Sequence, residues 1–303
     1  MLFFVPSKPV VNKMTLFELV KIVLDELYIE AKDLYKDKVD DVIKSKISDL
    51  AEAYGRLALP SHQPIDYKDP ATRFAYVYKY VPAHGDYIFQ ILRLARTELG
   101  KPIFSSGDTR ITCIGGGPGS DLIGVLKYID FMSGREPTKA VTAYLLDREQ
   151  AWADTWTEVN AKLDLDIKFH SVFQPLDVTR PTTWESQKKF LQADLFTLSY
   201  FVSEVMALDS DGKISQFWET LFSGAKVGAY LLYVDNGHTV FTSYFDKKWE
   251  AAGNWECIDY DDNVRFIPGG SEQASELTEY KTKIGQMSKI QGYITHRFLK
   301  KIK

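Results

Sequence analysis

Residues able to do chemistry cluster first between Cys113 and Asp121, where the chain reads CIGGGPGSD. Gly115, Gly117 and Gly119 are followed directly by Ser120 and Asp121. A backbone stripped of Cβ atoms lets a ligand lie against it and reaches positive φ without strain. A dinucleotide loop of the form G-x-G-x-x-G needs glycine where this chain has Ser120, and a phosphate-binding P-loop needs a lysine that is absent here. The tighter G-x-G-x-G spacing suits an uncharged thioether chain and a ligand without phosphate. Two acids follow at strand ends: Asp147 closes AYLLD and Asp177 follows IKFHSVFQPL. Further on, Ser199, Tyr200 and Glu204 stand in LSYFVSE, Asp235 and Asn236 in YVDNGH, and His84 and His238 in VPAHGD and DNGH.

The elements that must hold these residues show two rhythms. From Thr15 to about Leu59, LFELVKIVLDELYIEA and VDDVIKSKISDLAEAYGRL repeat apolar residues at helical spacing. LPSHQPIDYKDP interrupts them with three prolines. The stretch from Ala71 to Gly100 predicts two helical pieces separated at Pro82. From Ile111 onward, β-rich runs alternate with helical ones: RITCIG, DLIGVLKYIDFM, AVTAYLLD, REQAWADTWTEVNAKL, IKFHSVF, PTTWESQKKFLQ, DLFTLSYF, GKISQFWETLF and VGAYLLYVD. Alternation of this kind predicts βαβ units, a parallel sheet and helices on both faces. The tail predicts late strands in NWECIDYDDNVRFI and KIQGYITHRFLKK around a helical EQASELTEYKTKIG. There is no internal repeat.

Composition narrows the function classes. A chain of 303 residues with 45% hydrophobic and 14% aromatic content builds a sizeable core. Its net charge of -4 disfavours a wholly basic nucleic-acid binder. The two cysteines, Cys113 and Cys257, form no CxxC pair and leave nothing for a zinc or iron–sulfur site. Cys113 lies in an apolar run and reads as a buried reduced thiol. MLFFVPSKPVVNKM is too short in its apolar patch for a signal-peptide core, and no run reaches the roughly 20 apolar residues of a membrane helix. A reducing, cytoplasmic compartment is expected.

The block CIGGGPGSD resembles motif I of the class I S-adenosylmethionine (SAM) dependent methyltransferases. Four further features stand in that family's order: Asp147, Asp177, DLFTLSYFVSE as the fourth strand and LLYVDNGH as the fifth. The resemblance implies a Rossmann-like, mostly parallel, seven-stranded α/β sheet over residues 105–303. Residues 1–104 are expected to form a helical lid or substrate segment. It implies that Gly115, Gly117, Gly119, Ser120 and Asp121 hold the cofactor. Asp147, with Arg148 beside it, would grip the ribose hydroxyls, and Asp177, with Val178, would meet the adenine. Tyr80 would reach in from the helical segment. The chain departs from the family at Cys113, where an acid is common, and at LSYF, which replaces the NPPY-type signature of enzymes acting on base or amide nitrogens.

Methyl transfer needs a nucleophile held in line with the C–S bond, and a base only where that nucleophile has a proton to lose. The candidates are Tyr200, Ser199 and His84. Tyr200 either orients an acceptor or is a packed core aromatic, and His84 and His238 are either bases or solvated loop histidines. Tyr76, Tyr80 and Tyr87 share one helical face if Pro82 does not break it. That face either docks on the sheet or closes, with Lys79 and His84, over the cofactor or acceptor. AYVYKYVPAH and DLFTLSYFVSEV are also similar to a ribosome-associated methyltransferase-like family, whose cysteine cluster this chain lacks. The methyl acceptor, a small molecule or a macromolecule, is left open. No membrane partner is expected, nucleic acid is disfavoured by charge, and a SAM-fold binding module without catalysis is the non-enzyme alternative.

Overall fold

A computed structural model of the protein describes residues 15–57, 65–209, 211–269 and 274–303. The opening patch MLFFVPSKPVVNKM and the expected break at Pro60 and Pro64 lie outside the described residues. Helix α1 (Leu16–Tyr35) starts with a reciprocal cap. The Thr15 hydroxyl accepts from the Glu18 N–H at 3.1 Å, and the Glu18 carboxylate accepts from the Thr15 N–H at 2.6 Å. Its apolar stripe of Phe17, Val20, Leu24, Leu27 and Ala31 is buried. Helix α2 (Val39–Gly55) buries Ile43, Ile47 and Leu50 in the same core. Both pack on α3 (Pro70–Leu99), whose first turn is set by Pro70 and by Asp69, which accepts from the Ala71 N–H at 2.9 Å.

Helix α3 is one continuous helix of 30 residues, which corrects the expected division at Pro82. An interior proline removes one backbone hydrogen bond and costs about 3 kcal/mol. Each large apolar side chain that is fully buried returns about 1.5–3 kcal/mol. Val77, Tyr78, Val81, Ile88, Ile91 and Leu92 flank Pro82 and are all buried, so packing outweighs the missing bond.

The second rhythm yields β1 (Asp108–Ile114), α4 (Ser120–Phe131), β2 (Ala140–Asp147), α5 (Ala151–Lys162), β3 (Lys168–Pro175), β4 (Leu195–Ser199), α6 (Val202–Val205), α7 (Ser215–Gly224), β5 (Tyr230–Asn236), α8 (Thr239–Ala252), β6 (Trp255–Phe266), α9 (Thr278–Ile284) and β7 (Gly292–Lys301). They form one seven-stranded sheet in the order β3-β2-β1-β4-β5-β7-β6. All neighbours from β3 to β5 pair parallel, and β7 runs antiparallel to both β5 and β6. This is the mostly parallel seven-stranded α/β sheet that the sequence predicts, with both late strands in place. Side chains alternate between two cores. Tyr230, Leu232 and Val234 of β5 join the core under α1 to α5, while Leu231 and Tyr233 join that under α7 and α8.

The expected helix over PTTWESQKKFLQ is instead a pair of short 3₁₀ turns, Pro181–Thr183 and Lys188–Gln192. Trp184 and Leu191 stand seven apart, but Gln187 and Lys188 occupy the positions between them, so no continuous apolar stripe forms. The Thr183 hydroxyl also donates to the Arg180 carbonyl at 2.8 Å, competing with a helical ladder. Helices α3 and α4 cross so closely that a Cβ at Gly124 would overlap the Gly85 carbonyl. That crossing clamps α3 onto the helix that follows the glycine loop. Among the described residues no helix is long and apolar enough to cross a membrane.

Candidate functional site

The strand order reverses at β1, whose neighbours are β2 on one side and β4 on the other. In open α/β sheets the crevice beyond such a point is where ligands bind. The loop from β1 to α4 lies there. Gly115, Gly117 and Gly119 take φ of +66°, +48° and +87°, the left-handed region that a side chain disfavours. The N–H groups of Gly115 and Gly116 donate to the Leu146 carbonyl at 2.8 and 3.1 Å, tying the loop to the end of β2. Asp147, the last residue of β2, accepts from the Gly117 N–H at 3.0 Å and from the Glu149 N–H at 2.9 Å. Burial pushes its carboxyl up to about 6, against these two bonds.

The cleft over this loop is lined by Gly115, Gly117, Asp147, Arg148, Asp177 and Val178 from the sheet's edge. Asp177 follows β3 and accepts from both the N–H and the hydroxyl of Thr179, at 3.0 and 2.6 Å. Trp152 of α5 forms one wall, and Ala53, Leu57, Ile65, Tyr67 and Tyr76 form the other. Tyr67 and Tyr76 pack against Trp152 in tilted arrangements, with ring centres 4.8 and 5.4 Å away. Residues of α2, of α3 and of the turns beside them thus supply one side of the cleft.

Gly119, Ser120, Asp121 and Tyr80 are not among the residues lining this cleft. Gly119 packs against the Trp156 ring. Asp121 is 1% exposed and turned beneath the loop, where it accepts from the Leu122 N–H at 3.0 Å and from the Thr197 hydroxyl of β4. Burial pushes its carboxyl up to about 6 as well. Tyr80 packs edge-on to Tyr54 at 5.3 Å. His238 is exposed at the start of α8.

Across β4 stands a separate group. Ser199 ends β4, and Tyr200 follows it with φ of +56°. That value is uncommon for a residue with a side chain and marks local backbone strain. The backbone is pinned there by the Tyr200 N–H, which donates to the Val234 carbonyl of β5 at 2.8 Å. His84 of α3 lies flat on the Tyr200 ring, with centroids 4.0 Å apart and planes within 12°. Burial, aided by the Lys289 charge, pushes the His84 imidazole well below its ordinary range, so the ring is neutral. Neither ring nitrogen has a hydrogen-bond partner, and neither does the Tyr200 hydroxyl.

Sequence reasoning underweighted Glu204 and did not single out Trp152, Tyr67 or Lys289. Glu204 lies in the first turn of α6 and lines the cleft. Burial and the charges of Asp147 and Asp235 push its carboxyl up to about 8. In the sequence it reads as an ordinary acid in the first turn of a helix. Its spacing from the end of β4 was the available signal. Lys289 sits in the coil MSKIQ, which has no local pattern.

Neither the known family models nor the curated proteins include a match to this chain. Solved structures do resemble it. One is a putative class I SAM-dependent methyltransferase from Listeria monocytogenes, at 11% identity over 95% of this chain and 88% of that one, with a TM-score of 0.42. Another is an O-methyltransferase from Bacillus cereus in complex with S-adenosylhomocysteine (SAH), at 11% identity over 85% and 90%, with a TM-score of 0.40. A third is a putative RNA methyltransferase from Pyrococcus horikoshii, at 11% identity over 84% and 96%, with a TM-score of 0.42. The chain's own topology, a seven-strand order with β7 antiparallel between β5 and β6 and a glycine loop after β1, is the Rossmann-like, mostly parallel sheet that the sequence resemblance implies.

Proposed function

We propose that the protein binds SAM along the β1–β2–β3 half of the carboxyl edge and transfers its methyl group to an acceptor on the β4–β5 side. The observation that carries this reading is the joined Gly117–Asp147 unit at the switch point, open to the cleft. The residues fit the cofactor. Each Asp147 oxygen accepts one backbone bond and keeps a lone pair, so the carboxylate can also receive two ribose hydroxyls. Gly117 takes φ of +48°, which disfavours a side chain, and a Cβ there would stand 3.8 Å from the Trp152 indole that lines the same cleft.

SAM supplies an electrophilic methyl group on a sulfonium. The chain's part is positioning and exclusion of water. Gly115 and Gly117 support the uncharged chain of the ligand, and Asp147 and Asp177 orient the nucleoside. Tyr67, Tyr76 and Trp152 border the cleft, which supports the reading of the helical segment as a lid rather than a separate module. Tyr200, Ser199 and His84 stand on the acceptor side.

Titration of the full chain with SAH tests the reading by calorimetry and by thermal shift. Saturating SAH should raise Tm, since a ligand held only by the folded state stabilises it by about 2.7 kcal/mol at a hundredfold excess over Kd. Absence of both heat and shift would overturn it.

A further inference from the structure

The cofactor reading leaves the β4–β5–β7 half of the edge unexplained. There, side chains from separate elements close on one another: His84 and Tyr87 of α3, Tyr200 after β4, Asp235 at the end of β5, and Lys289 on the coil between α9 and β7. His84 is 4% exposed, and Tyr87 and Asp235 are fully buried. Both nitrogens of His84 and the hydroxyls of Tyr87 and Tyr200 lack any partner. A buried polar group left unpaired costs about 1–3 kcal/mol. Several in one place therefore point to a bound molecule that completes them.

The charges say what kind of molecule. The half-buried Lys289 ammonium faces the rings of Tyr200 and Tyr80 at 5.2 and 5.7 Å and makes no ion pair among the described residues. It and the Tyr87 hydroxyl both border Gly292, 3.3 and 3.4 Å from where a Cβ would stand. The nearest acid, Asp235, is already engaged, accepting from the N–H groups of Ser203 and Asn236, each at 2.8 Å. A cation, two hydroxyl donors and a neutral imidazole thus meet in one cluster. An ammonium there would set a second cation beside Lys289, which a low-dielectric site disfavours.

We infer that this cluster is the acceptor subsite and that it takes an acidic hydroxyl of the phenol type, held as the oxyanion against Lys289, Tyr87 and Tyr200. The inference rests on the methyltransferase reading above. The phenol enters as its phenolate, its proton left in solvent, and the neutral His84 ring packs beside it. The oxygen then forms a bond to the methyl carbon as the C–S bond breaks, and that electron pair stays on sulfur. The products are the methyl ether and SAH. The coil carrying Lys289 is held by α3: the Lys289 N–H donates to the Lys79 carbonyl and the Lys79 ammonium to the Met287 carbonyl, each at 2.8 Å. It borders solvent at Met287 and Ile290.

The probe is 4-nitrophenol, whose phenolate absorbs visibly. Titrating the full chain into it, with SAH present, should favour the bound phenolate by about tenfold, one unit of apparent ionisation. Lys289→Met should abolish that enrichment and Tyr87→Phe should weaken it, while SAH affinity stays at the wild-type value in both. Benzylamine should not compete. No phenolate enrichment by the wild type, equal enrichment by Lys289→Met, or displacement by benzylamine would each overturn the inference. If SAH binds and the phenolate signal is absent, the acceptor inference falls alone. If SAH fails to bind and the Lys289-dependent signal persists without it, the anionic-oxygen site stands and the methyltransferase reading falls.

Discussion

The two halves of the sheet's carboxyl edge are built in opposite ways. On the β1–β2–β3 side every acid of the site is already bonded: Asp147 to Gly117 and Glu149, Asp177 to Thr179, Asp121 to Thr197 and Leu122. On the β4–β5–β7 side, polar atoms of His84, Tyr87 and Tyr200 are buried without partners, beside an unpaired lysine. The first half is preorganised, so a ligand finds its donors and acceptors aligned. The second is incomplete by itself, and its strain at Tyr200 is held by the backbone bond to β5. The difference places recognition of a constant ligand on the first side and completion by a variable one on the second.

The sharpest way to break this contrast is at the loop. Gly117→Val puts a β-branched residue at φ of +48°, a strain of about 1–3 kcal/mol, and fills the strip the ligand needs. The variant should stay folded by circular dichroism and show no SAH heat in calorimetry. A folded variant with normal affinity would detach the loop from the cofactor. Next in size is Asp147→Ala. Losing two charge-assisted bonds to the ligand, about 1.5–3 kcal/mol each, should weaken SAH by about a hundredfold or more by the same titration. Unchanged affinity would remove the acid from the site.

A paired comparison of hydroxyls sharpens the contrast without any ligand. Thr197→Val strips the buried Asp121 carboxylate of a donor and should cost about 1–3 kcal/mol in urea unfolding. Tyr200→Phe removes a hydroxyl that has no partner and should be neutral or stabilising by up to about 1 kcal/mol. Equal losses in the two variants would mean that the halves do not differ. The smallest effect is one of pH. Burial holds the Glu204 carboxyl at about 8, against an ordinary value of 4.5, so the folded state binds more protons through that interval. Its contribution is full below the lower value and is lost as pH rises through the upper one. The Tm of Glu204→Gln should therefore fall less between pH 5 and pH 8 than that of the wild type, and parallel curves would refute the shift.

How much of this was legible without coordinates follows from range. Glycines that need positive φ, alternation of period 2 with period 3.6, and acids at strand ends are local signals, and Gly115, Gly117, Asp147 and Asp177 were found from them. Even local reasoning failed where packing intervened. Pro82 was expected to divide α3, and its neighbours' burial overrode it. PTTWESQKKFLQ was expected to be a helix, and side-chain bonds with a broken apolar stripe prevented it.

The sequence alone determined the class of sheet, the loop at its switch point and the acids on one side of it, because backbone conformation and hydrophobic period are set by neighbours in the chain. Only the tertiary structure decided that Glu204 faces Asp147 across a cleft, that Asp121 turns inward, and that Lys289 closes on His84 and Tyr200. These groups are separated by up to 205 positions in the chain, from His84 to Lys289. Their ionisation and their missing partners depend on burial by elements that no local pattern joins.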